Sequence, residues 1–216
     1  MRRTGPEAPS PHPLVRAFPR RLAGDVRAVL AVLPELRYEP SWPFPVDVAG
    51  EPLAVPYRLH FDEPPADAVR ALTATRQTVL HCLCSRHSDG FVRQRHLERI
   101  VRSDEPWVVP YVVRPVGEYV LNILVAVEHG LTGPRSRWPE QRAVYGEFLA
   151  RNPEFLALTE CRAVSYWSYH HRHKYPTFAT YPGHRLLELL RAAVVDRTGR
   201  PWPRLTPPGG ATPVRR

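Results

Sequence analysis

Residues 65–102 read PADAVRALTATRQTVLHCLCSRHSDGFVRQRHLERIVR, and this stretch decides the fold. Val69, Leu72, Val79, Leu80 and Leu83 recur at helical spacing, which predicts one long helix over 65–86. Ser88-Asp89-Gly90 has the composition of a tight turn. A second helix follows over 91–102, with Leu97, Ile100 and Val101 apolar. Two amphipathic helices joined by a short turn make a helical hairpin, and both need further apolar surface to cover them.

The same logic extends in both directions. Pro106 suits the first turn of a helix, where its missing N–H would be unpaired in any case, and Ser103 and Asp104 precede it. That helix is expected to run to His129, stop at Gly130 and kink at Pro110 or Pro115. Pro139 and Pro153 open helices over 139–151 and 153–173, the second capped by Asn152. After the Tyr181-Pro182-Gly183 turn a last helix covers 184–198 and ends at Gly199. Toward the N-terminus, Leu22, Val26, Val29, Leu30 and Leu33 mark a short helix over 22–33, and a proline- and aromatic-punctuated loop spans 34–45. Residues 46–61 alternate around Ala49-Gly50-Glu51-Pro52, which predicts a β-hairpin. Its second arm places Val55, Tyr57, Leu59 and Phe61 on one side, and Pro56 demands an edge strand or a bulge.

The expected fold class is therefore mainly α. It is an irregular helical array with HEAT-like hairpins and a short N-terminal β-hairpin at 46–61, forming a single helical domain over 22–198. No internal repeat of fixed period is present, so a compact irregular bundle fits as well as a solenoid. Residues 1–21 and 199–216 are rich in proline and arginine and are expected to be disordered tails.

The chain has 216 residues, 43% of them hydrophobic, enough for one domain with its own core. No apolar run reaches the roughly 18–20 residues of a membrane span, and prolines stand where a signal peptide needs an apolar segment. Three cysteines make no disulfide framework, so the expected location is cytoplasmic. Lys174 is the single lysine among 30 basic residues, an arginine bias that matches high-GC coding. The net charge of +9 is unevenly placed. Residues 1–21 carry +4 and residues 197–216 carry +5, leaving 22–196 neutral with twenty basic and twenty acidic residues.

Several residue groups invite chemical readings. His81, Cys82, Cys84 and His87 resemble a metal motif, but on a helix Cys82 and Cys84 point about 200° apart, so buried small hydrophobes are the better reading. No cofactor and no metal are expected. His87, Asp89 and Arg93 are expected to knit the turn between two helices as a structural polar cluster. Arg114, Glu118 and Asn122 repeat every four residues, with His129 near the same line. That is the spacing of a solvated stripe or polar seam with an i,i+4 ion pair. The most unusual stretch is CRAVSYWSYHHRHKYPTFATYPGH (161–184), which mixes rings with cations. Arg162, Tyr166, Trp167, Tyr169, His170 and His173 are the candidate functional surface, because rings and cations together can stack bases and contact phosphates or line a ligand pocket. Packing and a small-residue seam at Cys161, Ser165 and Ser168 compete with that reading. No phosphate-binding glycine loop, nucleophile elbow or zinc-protease motif is present, and no catalytic residue is assigned.

The phrases SRHSDGFVRQRHLERIV (85–101), EPWVVPYVVRPVGEYVLNIL (105–124), NPEFLALTECRAVSYWSYHHR (152–172) and YPGHRLLELL (181–190) resemble an uncharacterised group of actinobacterial hypothetical proteins. The resemblance covers most of 46–190. It implies an ordered, intracellular bacterial domain and carries over no activity and no catalytic residues.

Three functions follow as expectations. The first is a helical protein-interaction or scaffold domain with an unidentified protein partner. The second is a nucleic-acid-associated protein that uses the basic tails and the 161–184 segment. The third is an enzyme of unrecognised class using Glu118, His87 or the late histidines, for which Arg162, Tyr166, His170 and Glu118 would have to converge on a cleft. No membrane partner is expected.

Overall fold

The structure, a computed structural model, describes residues 12–40, 42–203 and 205–207. The described residues include nine α-helices and one two-stranded sheet: β1 (Phe44–Val48), β2 (Glu51–Val55), α1 (Ala23–Leu30), α2 (Ala66–Arg70), α3 (Ala74–Cys84), α4 (Gly90–Ile100), α5 (Val109–Val113), α6 (Leu121–Thr132), α7 (Trp138–Arg151), α8 (Pro153–Tyr166) and α9 (Pro182–Thr198). The fold is mainly α with a short N-terminal β-hairpin.

The helix expected over 65–86 is two helices. Thr73 adopts an extended conformation and its hydroxyl accepts from the Arg76 N–H, so it starts α3 instead of continuing α2. Gln77 closes the break by donating to the carbonyls of Val69 and Leu72. α3 and α4 pack together, and the α4 N-terminus is capped by Asp89, whose carboxylate accepts from Phe91 and Val92. The other large helix interfaces join helices that are not consecutive. The most extensive interface joins α7 to α9, while α4 packs on α6 and α1 on α3.

The segment expected as one kinked helix from Pro106 to His129 is also divided. A 3₁₀ turn (Pro106–Val108), α5 and a second 3₁₀ turn (Arg114–Gly117) follow in succession, and Glu118 is extended before α6 begins. Two prolines five residues apart remove too many donors for one continuous ladder. α6 runs through Gly130, where a Cβ would lie 2.3 Å from Val101 Cγ1. This glycine permits close packing and does not end the helix.

In the hairpin, Val46 pairs with Leu53 and Val48 with Glu51, around a two-residue turn at Ala49-Gly50. Val46, Val48, Leu53 and Val55 are buried. The second arm ends at Val55, not Phe61. Pro56 cannot donate, and the chain beyond it crosses the α3–α4 turn, where Leu59 exchanges hydrogen bonds with Arg86 and Ser88. Asn152 makes no capping bond to α8. Its side chain accepts from the Asp47 N–H and donates to the Asp47 carbonyl, each at 2.8 Å, pinning the hairpin to the α7–α8 corner.

Both terminal segments extend the domain beyond 22–198. Pro13–Ala17 and Arg20–Leu22 form 3₁₀ turns, with Leu14, Ala17 and Phe18 buried. Phe18 stacks on Tyr111 with ring centres 5.5 Å apart, and the Tyr111 hydroxyl donates to the Ala17 carbonyl. The expectation of a disordered tail fails for these residues, because Leu14, Ala17 and Phe18 bury themselves in the core, which sequence composition does not reveal. Past α9, Trp202 donates to the buried Glu160, and Thr206 accepts from Arg191. Residues 1–11 and 208–216 of the expected tails lie outside the described residues. Among the described residues no helix is long and apolar enough to cross a membrane.

Candidate functional site

Five chain segments bring arginines to one place. Arg86 lies in the turn just after α3 and is fully buried. It donates from Nε and Nη2 to the carbonyls of Pro56 and Tyr57, and from Nη1 to Glu118 Oε1 at 3.1 Å. Arg93 on α4 donates to the carbonyls of His87 and Ser88 and sets its Nε 3.3 Å from Glu118 Oε2. Arg58, from the extended segment after β2, approaches the same Oε2 at 3.3 Å. Glu118 thus sits buried among three guanidiniums. Burial alone would push its carboxyl up, but Arg86, Arg58 and Arg93 more than reverse this, and it lies below its ordinary value.

Arg114 and Arg162 complete the cluster and take no share of that carboxylate. The i,i+4 pairing of Arg114 with Glu118 expected from their spacing is not made, because the chain between them is a 3₁₀ turn ending in an extended residue. Arg114 is 5% exposed and its Nε has no hydrogen-bond partner. Its guanidinium lies 5.0 Å from the Phe44 ring centre and 5.5 Å from that of Tyr57. Burial, followed by the charges of Arg162 and Arg86, lowers it to about 10. Arg162 on α8 donates from Nε to the Gly117 carbonyl at 3.1 Å and from Nη2 to the Tyr57 hydroxyl at 3.2 Å. A Cβ at Gly117 would stand 3.1 Å from the Thr159 carbonyl oxygen and 3.2 Å from Arg162 Cβ, so a glycine there lets the 3₁₀ turn approach α8. Among the described residues neither Arg114 nor Arg162 has a carboxylate within ion-pair distance.

The Tyr57 ring is the centre of the arrangement. The guanidiniums of Arg58, Arg114 and Arg162 lie 5.4, 5.5 and 5.6 Å from it. The hydrogen bond from Arg162 is the main cause that holds the Tyr57 phenol below its ordinary value. Arg114 and Arg162 are then at most about 11 Å apart, and at an effective dielectric near 20 their repulsion is at least about 1.5 kcal/mol. A cation–π contact offsets about 0.5–2 kcal/mol. The rings therefore hold the cations in place without neutralising them.

Arg162 also leans 5.7 Å from the ring of Tyr166, where a second cluster begins. Tyr119, Tyr166 and His170 have mutual ring separations of 5.7–5.9 Å, and Tyr169 packs edge-on against His170. After Tyr166 the helix widens into a π turn over Trp167–His171. This turn directs neighbouring side chains apart: His170 stays with the exposed rings, while Trp167 is buried and donates to the Tyr175 carbonyl. His171 Nε2 contacts the Tyr119 carbonyl at 2.8 Å and anchors that ring's backbone. An open depression of about 740 Å³ is lined by residues of this turn, including Tyr166, Tyr169 and His170.

Of the six residues singled out from the sequence, the structure brings together Arg162, Tyr166, His170 and Tyr169. It turns Trp167 into the core. His173 is exposed and makes no hydrogen bond, ion pair or ring contact among the described residues. His87, Asp89 and Arg93 lie around the α3–α4 turn. His87 Nδ1 accepts from the Asp89 N–H at 2.9 Å, which leaves Nε2 to donate to the Phe61 carbonyl at 2.6 Å. Cys82 and Cys84 are buried thiols and Cys161 is exposed, all unpaired. Among the described residues no group of three or more His, Cys, Asp or Glu is placed to hold a metal.

Sequence reasoning missed Tyr57, Arg58, Arg86 and Tyr119 as site residues. Arg86 carried a signal, since it directly precedes His87 at the end of an apolar helix face. Tyr57 and Arg58 carried none, because their role depends on where the chain goes after Pro56. No family model, curated protein or solved structure matches the chain.

Proposed function

We propose that this protein binds an anionic ligand, a phosphate ester or similar oxyanion, at the Arg114–Tyr57–Arg162 group with Arg58 at its edge. One observation carries the reading: three guanidiniums share the buried Glu118 carboxylate, while Arg114 and Arg162, which make no ion pair with it, both lie against the Tyr57 ring, and Arg114 is buried. A buried cation normally has a partner, because desolvation without one costs several kcal/mol. A bound oxyanion supplies that partner, and two planar guanidiniums with a phenol hydroxyl offer it donors in fixed positions.

This reading favours the ligand-binding and nucleic-acid expectations over the scaffold. HEAT-like hairpins presenting a protein-binding face would rest chiefly on the α3–α4 pair, since the larger remaining helix interfaces, α7–α9, α4–α6 and α1–α3, join helices that are not consecutive. The neutral body also acquires a local charge asymmetry that composition hides.

The test is calorimetric titration of the whole chain with inorganic phosphate and with sulfate, repeated for Arg162→Ala and Arg114→Met. Binding that weakens with ionic strength and falls roughly 10-fold or more in Arg162→Ala is expected, in keeping with about 1.5–3 kcal/mol for a charged hydrogen bond. Absence of binding at millimolar anion, with both variants melting as the parent does, overturns the reading.

A further inference from the structure

The anion group has an aromatic shelf beside it, and we infer that the ligand is a nucleotide whose base lies on Tyr119, Tyr166 and His170 while its phosphate meets Arg162 and Arg114. The inference rests on the anion-binding reading and adds the chemical class of the ligand.

Three observations lead to it. First, Arg162 belongs to both clusters, with its guanidinium 5.6 Å from the Tyr57 ring centre and 5.7 Å from that of Tyr166. A ligand that engages this arginine by an anionic group therefore carries the rest of its body either onto the shelf or into water. Second, the shelf is exposed in a way that packing does not explain. Tyr119 is 52% and Tyr169 86% exposed, on the same surface as His170. Large rings left in contact with one another and with solvent mark a recognition surface more often than a packing residue. Third, the shelf is held in place. His171 ties the Tyr119 backbone, and the buried Trp167 anchors the π turn from below. π turns within helices are frequent at functional sites.

The sign of the charge selects among ring-binding functions. Three rings at mutual distances near 6 Å also describe a cage for quaternary ammonium groups. Here the rim is a guanidinium, and none of the three side chains hydrogen-bonds to a carboxylate among the described residues, so a cationic guest is repelled. A flat, neutral or electron-poor ring bearing a phosphate satisfies both halves. Base stacking on aromatic side chains contributes about 1–3 kcal/mol per base and tolerates any base. The chemistry is shared by a free mononucleotide and by one unit of a single strand.

Binding of four probes to the whole chain decides the matter: inorganic phosphate, thymidine 5′-monophosphate, O-phosphotyrosine and a ten-residue oligothymidylate. The monophosphate is expected to bind roughly 5- to 150-fold more tightly than inorganic phosphate, the advantage that one stacked base supplies. Tyr166→Ala should weaken the monophosphate more than inorganic phosphate and so narrow that advantage toward onefold, and Tyr166→Phe should keep it. Tighter binding of the oligonucleotide assigns the ligand to single strands, and binding no better than the monophosphate assigns it to free nucleotides. Equal affinity for phosphate and monophosphate overturns the inference and leaves the anion site standing. Preference for phosphotyrosine overturns it in favour of a phosphorylated peptide. Failure of all four probes overturns the anion reading itself.

Discussion

Glu118 Oε1 accepts from Arg86 Nη1 at 3.1 Å, with both side chains sealed from solvent, and this pair joins the extended stretch before α6 to the end of α3. The pair is a structural foundation for the site more than part of its face. It fixes the residues on either side, Gly117 toward Arg162 and Tyr119 toward the aromatic shelf. Removing the carboxylate leaves Arg86 and Arg93 buried without a counter-charge, so Glu118→Gln is expected to destabilise by about 3–5 kcal/mol, and Arg86→Met by less, since Arg58 and Arg93 still face Glu118. Denaturant melts check this, and a loss below about 1 kcal/mol would contradict the burial argument.

The same carboxyl sets an acid limit. Its folded-state value lies below the ordinary 4.5, so the stabilisation is complete above that pH and is lost as pH falls through the lower folded value. Stability measured from pH 6 down to 3 should therefore fall less steeply below pH 4.5 in Glu118→Gln than in the parent.

Tyr57 offers a spectroscopic reporter of the cation group. Its phenol lies below the ordinary 10.0, chiefly through the hydrogen bond from Arg162. An ultraviolet titration should show tyrosinate absorbance beginning early. Tyr57→Phe should delete that first phase, and Arg162→Ala should move it upward. Identical curves for the three proteins would place the phenol away from the guanidiniums.

His81 and His96 face each other across the α3–α4 interface with Nδ1 atoms 2.8 Å apart, so at least one must be neutral. Burial first, then the charges of His96 and Arg99, lowers His81 to about 4. A depressed histidine stabilises the fold above its unfolded value near 6.5, and that contribution is lost as pH falls from there toward 4. Proton NMR should show the His81 ring still neutral at pH 5. A His81 midpoint near 6.5 would refute the buried contact.

The hairpin turn carries avoidable strain. Ala49 has φ 54° and Gly50 φ 88°, the two left-handed positions of a type I′ turn, and alanine resists the first by about 1–2 kcal/mol. Ala49→Asn should raise the melting temperature without altering ligand binding. A lower melting temperature would mean that the turn is held by something other than its backbone geometry.

How much of this was legible in the sequence differs by element. Apolar spacing located α1, α3, α4 and the hairpin, because helix and strand periods report which residues leave water, and proline and glycine punctuation placed α7, α8 and α9. The break at Thr73 was written in the chain as an N-cap residue, yet the continuous apolar stripe outweighed it. Terminal segments rich in proline and arginine were taken for tails because composition averages over the few residues, Leu14, Phe18 and Trp202, that dock them. Within 161–184, the mixture of rings and cations singled out Arg162, Tyr166 and His170, which the structure places side by side, while Trp167 could be sorted from them only by the π turn.

The sequence by itself determined a mainly helical chain with a short hairpin, a neutral body and basic ends. Only the tertiary structure decided that Arg58, Arg86, Arg93, Arg114 and Arg162 meet around Tyr57 and Glu118. Periodicity is a local property, set by 3.6 residues per turn or by two per pleat. The convergence of five long side chains from five segments depends on the path between them, and here that path turns on Pro56, the Arg114–Gly117 turn and the close approach at Gly117. A guanidinium can reach from a buried backbone position to a shared centre several ångströms away, so its partners are chosen by packing and leave no mark on its neighbours in the chain.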